Sequence, residues 1–172
     1  MLNNYKPYES LIPETTTLLE DITKKFACLG DRFTAEEKKA LSAETYQQFP
    51  TIDLSPRDLF NVIDQISDIA REIYTKRAIN SENELEKMAF ITDCMLYSNY
   101  TAILLGIKIL INEFGKMEEY QTDGRIPLVF GFTIGLMLKS SSSTEFICKL
   151  SPNFKEYSEK LYHIFQTYEK MD

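Results

Sequence analysis

The sequence predicts an all-α protein: a single-domain helical bundle of about six helices around a central apolar helix pair, spanning residues 1–172. Three observations carry that prediction. Serine, threonine and proline recur in the positions that open helices, no pair of alternating runs is joined by the Asn-Gly or Asp-Gly turn of a hairpin, and two long stretches are almost free of charge. Of the two, residues 126–138 would reach only about 20 Å as a helix, short of the roughly 30 Å hydrocarbon core of a bilayer. A buried place inside a bundle is the expected one.

Along the chain, residues 1–12 form a loosely packed N-terminal arm in this reading. Pro13 suits a first helical position and Gly30 a stop, and Leu18, Leu19, Ile22, Phe26 and Leu29 share a face between them. Thr34 and Glu37 have the capping-box spacing, which opens a short, polar second helix on the surface that ends before Pro50. Ser55 and Pro56 open the third helix, with Leu54 and Leu59 spaced as a hydrophobic staple. Its apolar positions Leu59, Val62, Ile63, Ile66, Ile69, Ala70 and Ile73 fall at three- and four-residue steps.

Ser81 and Glu84 repeat the capping-box form and open a long helix that runs to a stop near Gly115, with Gly106 as a candidate break. Between residues 88 and 111 only Asp93 and Lys108 are charged, so this helix is expected to be covered on nearly every side. The segment 126–138 follows and ends in the serines at 140–143. Ser151 and Pro152 then open a last helix whose Phe154, Tyr157, Leu161, Ile164, Tyr168 and Met171 alternate three and four apart, the spacing of a packing seam.

Composition narrows the function classes. Nineteen basic and 26 acidic residues give a net charge of −7, which opposes phosphate backbones and anionic lipid surfaces, so nucleic acid is not an expected partner and a membrane is disfavoured. The acidity is concentrated in the first half. Cys28, Cys94 and Cys148 are odd in number, far apart and flanked by apolar residues, which predicts buried free thiols in a reducing compartment. With no apolar leader at the N-terminus, a cytoplasmic location is expected. Asn99-Tyr100-Thr101 matches a glycosylation acceptor but falls inside an apolar helix and is discounted.

Candidate sites are few. Gly131 and Gly135, four apart, are expected to let a neighbouring helix approach closely inside the protein. Asp64, Asp68 and Glu72 stack one turn apart as an acidic stripe; a solvated face with a Glu72–Lys76 pair is the ordinary reading, and docking of a basic protein the functional one. Tyr162, Phe165 and Tyr168 exceed what one seam needs and form a second candidate contact. His163 is the single histidine, so di-iron and zinc centres that draw on several ligands are excluded. No metal or other cofactor is expected, and no G-x-S-x-G, C-x-x-C or phosphate-loop signature is present.

These features favour a non-catalytic protein that neutralises or escorts a basic protein partner, by analogy with immunity, inhibitor and adaptor proteins. The alternative is a helical-bundle carrier or sensor of an apolar small molecule or lipid, held between segments 88–111 and 126–138. An enzyme using Asp93 or Glu113 ranks third.

Overall fold

The structure is a computed structural model that describes residues 6–41, 56–117, 124–142 and 151–171. Among the described residues are six α-helices and no strand. They are α1 (Ile12–Phe26), α2 (Ala35–Leu41), α3 (Pro56–Ile79), α4 (Glu84–Lys116), α5 (Arg125–Ser141) and α6 (Ser151–Glu169), with 3₁₀ turns at Pro7–Leu11 and Ala27–Gly30. The all-α bundle expected from the punctuation is the fold.

Helix α4 is its axis. It runs 33 residues without interruption, about 50 Å, so Gly106 does not break it, and it packs against α1, α2, α3, α5 and both 3₁₀ turns. Ile103, Ile107, Leu110 and Phe114 are almost entirely withdrawn from solvent. By length and composition α4 could cross a membrane, yet 67% of its most apolar window is buried against other helices. Its N-terminus departs from expectation. Asn83, not Ser81, is the N-cap, accepting from Leu85 N at 3.0 Å, while the Ser81 hydroxyl donates to Glu86 Oε2 at 2.9 Å.

Helix α1 lays Leu18, Ile22 and Phe26 against α4 and α6, where Phe26 stacks on Phe154 with ring centroids 4.0 Å apart. The α-helix stops at Phe26, and Gly30 ends the 3₁₀ turn after it. Each aromatic ring buried in this way contributes roughly 1.5–3 kcal/mol. The α6 seam forms as spaced: Phe154, Tyr157, Leu161, Ile164 and Tyr168 are all buried. Its start differs, because Ser151 lies within the helix.

The expected loose arm is corrected over its second half. Pro7–Leu11 is a turn of 3₁₀ helix with Tyr8 and Leu11 buried, the Tyr8 ring 5.1 Å from that of Tyr168, and Lys6 Nζ donates to Gly115 O at 3.0 Å. Ring packing and an end-of-helix carbonyl tie it to α4 and α6. Residues 1–5, Pro50, Leu54, Ser55 and Cys148 lie outside the described residues.

Where α2, α3 and α4 meet, one guanidinium joins charges and rings. The capping box at α2 closes in both directions, Thr34 N to Glu37 Oε1 at 2.9 Å and Glu37 N to Thr34 Oγ1 at 3.1 Å. The same carboxylate receives the Arg77 guanidinium from α3, with Nε to Oε2 at 3.1 Å and a close contact between Nη2 and Oε1. Arg77 also donates to Arg32 O at 3.0 Å and sits between the Phe33 and Phe90 rings, 5.2 and 5.1 Å from their centroids. Burial pushes the Glu37 carboxyl up, but the Arg77 and Thr34 hydrogen bonds outweigh it and leave the pKa below its ordinary value.

Candidate functional site

The acidic stripe stands where the spacing put it. Asp64, Asp68 and Glu72 are all exposed on the outer face of α3. Two of the three are answered by cations of their own helix, Asp68 by Arg71 at 3.4 Å and Glu72 by Lys76 at 3.0 Å, the latter pair as expected. Such exposed pairs are worth about 0–1 kcal/mol, so the stripe is available to a competing cation.

The aromatic group at the C-terminal end splits. Tyr168 is only 2% exposed, its ring 5.7 Å from Phe130 and 6.1 Å from Phe114, so it is a core residue and not a contact for a partner. Phe165 is half-buried and leans on Phe130 at 4.9 Å. Tyr162 alone stands out, 51% exposed, with its ring 6.3 Å from Phe165. Seam spacing cannot separate these three, because the crowding by Tyr8 and Phe114 comes from elements distant in sequence.

The largest correction concerns Gly131 and Gly135. Both are exposed, and a Cβ built on either meets nothing within 4 Å. The close helix approach occurs instead at Gly106 of α4, where a Cβ would overlap Thr133 Oγ1 and stand 3.3 Å from Thr133 Cβ. A glycine here closes the interface between the two apolar helices.

Helix α5 therefore buries one side only: Ile126, Val129, Phe130, Thr133, Met137 and Ser140 face inward. On the other side Leu128 (58% exposed), Gly131, Gly135 and Leu138 (46% exposed) fall within about 80° of arc at 3.6 residues per turn. This strip holds no acid. Phe132 borders it on the α3 side, in edge contact with Phe60, whose ring is 39% exposed and 5.0 Å away. The sequence could not mark this strip, since every side of α5 looks apolar.

Titratable groups follow the same division. Cys94 is buried, and burial pushes its thiol up to about 11, whereas Cys28 is exposed, contrary to expectation, because it sits in the 3₁₀ turn after α1. Asp93 lies 3.0 Å from Arg32 Nε as an ion pair, without the alignment of a hydrogen bond to that oxygen, and burial raises its pKa against the pull of Arg32 and Arg77. Its ion-pair partner is a cation and not a second carboxylate. His163 is exposed on α6. Among the described residues no three His, Cys, Asp or Glu side chains are placed to share a metal ion.

The chain matches no family model, no curated protein and no solved structure.

Proposed function

We infer that this protein is a non-catalytic, cytoplasmic binding protein that neutralises or escorts a basic protein partner. The observation that carries this reading is the exposed apolar strip of α5, from Leu128 to Leu138, bordered by Phe132 and the partly exposed Phe60 that touches it. Solvent-exposed leucines around two glycines give an apolar surface, edged by the exposed Lys139, on which a partner helix can lie close, and rings at the rim can fill pockets at little entropic cost. The net charge of −7 and the Asp64, Asp68 and Glu72 stripe would steer a basic partner to that surface. The contact thus shifts from the stripe, which serves encounter, to α5, which supplies burial.

The test compares tagged full-length chains recovered from the native cells. Leu128→Glu with Leu138→Glu is expected to lose a stoichiometric protein that the unaltered chain retains. Asp64→Lys with Asp68→Lys keeps that protein but associates more slowly, with a weakened dependence on salt. Equal recovery by the leucine variant removes α5 as the contact, and a partner of acidic character removes the steering role.

A further inference from the structure

Helix α2 is the shortest of the described helices, and Leu41 is its one buried side chain. Its seven residues fall short of the about 12–15 at which a helix becomes even marginally stable alone in water, so its form depends on what it touches. The Glu37 carboxylate makes two of those contacts. It accepts from Thr34 N at 2.9 Å to close the capping box and from Arg77 Nε of α3 at 3.1 Å, so the cap and the docking contact share one group. The Arg77 and Glu37 side chains are only 21% and 20% exposed, which makes their pairing stronger than that of an ion pair in open water. Apolar hold is small by comparison: Leu41 is buried, and the stem of Lys38 lies over Gly30.

We propose that residues 34–41 open and close as one unit on the rest of the bundle, a strap that Arg77 latches through Glu37. Helix formation and docking are then a single event. Losing the guanidinium leaves a seven-residue helix without its tertiary support, and unwinding the helix carries the carboxylate away from the guanidinium. Opening does not strand Arg77. It keeps the Phe90 ring of α4 beneath it, and Asp93, whose pKa burial raises and the charges of Arg32 and Arg77 pull down, stays on its side of the joint. The buried positions Ile103, Ile107 and Leu110 of α4 keep their cover, so the bundle outlasts the opening of its strap.

Amide hydrogen exchange of the full chain, followed by NMR, reads the opening directly. The amides of Lys38, Lys39, Ala40 and Leu41 are expected to share one opening equilibrium and to exchange at least about a hundredfold faster than those of Ile103, Ile107 and Leu110. Their exchange should also depend less on urea, because the open state exposes less surface than the unfolded one. Arg77→Met keeps an apolar stem between the Phe33 and Phe90 rings and should speed the four α2 amides together by about tenfold. Glu37→Gln retains an acceptor for Thr34 N without the charge, and should act in the same direction. The strap is overturned if the α2 amides of the unaltered chain exchange as slowly as those of α4, if their opening equilibria grade from one end of the helix to the other, or if either variant leaves them unchanged.

Discussion

Helices α4 and α5 are the two least charged in the molecule, yet they meet opposite fates. The first is enclosed from Tyr100 to Leu110, whereas Leu85, Met88 and Met95 in its N-terminal half stay exposed, so the expected cover on nearly every side holds only for its second half. The second presses one side into the bundle and leaves Leu128, Gly131, Gly135 and Leu138 to solvent. Their glycines make the difference plain: at Gly106 there is no room for a methyl group beside Thr133, and at Gly131 and Gly135 one would meet nothing within 4 Å among the described residues. Apolar composition alone says that a helix can be buried. Which sides are covered depends on how many neighbours arrive, and α5 receives too few to surround it.

Breaking the tight contact should have the largest effect. Gly106→Val forces an isopropyl group into the volume held by Thr133 and is expected to cost about 3 kcal/mol, read as a lower urea midpoint. The exposed glycines should respond in the other direction. Gly131→Ala and Gly135→Ala each gain about 0.5–1 kcal/mol from helix propensity with no neighbour to disturb, and destabilisation by either would mean that α5 is covered. Thr133 tests the same interface from the opposite helix. Its Oγ1 is buried with no hydrogen-bond partner, so Thr133→Val should stabilise by about 1 kcal/mol in thermal unfolding.

The smallest effect concerns the lone acid in α4's apolar stretch. Asp93 has a pKa raised above its ordinary 3.8, so its contribution to stability is fully present below that value and is lost as pH rises through the folded pKa. Asp93→Asn should therefore raise the melting temperature slightly at pH 7 and leave it nearly unchanged at pH 3. Glu37 carries the reverse sign. Its pKa is depressed below 4.5, its contribution is present above that value and is lost as pH falls through the folded pKa, so Glu37→Gln should lower the melting temperature at pH 7 and much less at pH 3. Two carboxylates near one guanidinium thus titrate against each other in their effect on folding.

Much of the candidate surface was legible only in part. Asp64, Asp68 and Glu72 are exposed as their spacing required, because a helix face opposite Leu59, Val62 and Ile66 has nowhere else to go. Tyr162, Phe165 and Tyr168 could not be ranked from spacing, since Tyr8 and Phe114, which bury Tyr168, are far from it in sequence. A pocket among α3, α4 and the end of α5, lined by Arg71, Tyr74, Cys94 and Lys139 among others, was hidden for the same reason: its lining residues belong to three helices, with nothing periodic to connect them.

By itself the sequence determined the local matters: helices from their apolar periodicity, the Thr34–Glu37 capping box, the buried seam of α6 and the exposed acids of α3. These follow from residues within a turn or two of each other, where helical geometry fixes the neighbours. Only the tertiary structure decided that Gly106 rather than Gly131 and Gly135 admits the close approach, that Arg77 bridges α3 to the cap of α2, and that α5 keeps an uncovered side. Each of those depends on which surfaces meet across long sequence separations, and a uniformly apolar helix offers no face by which its own residues could choose.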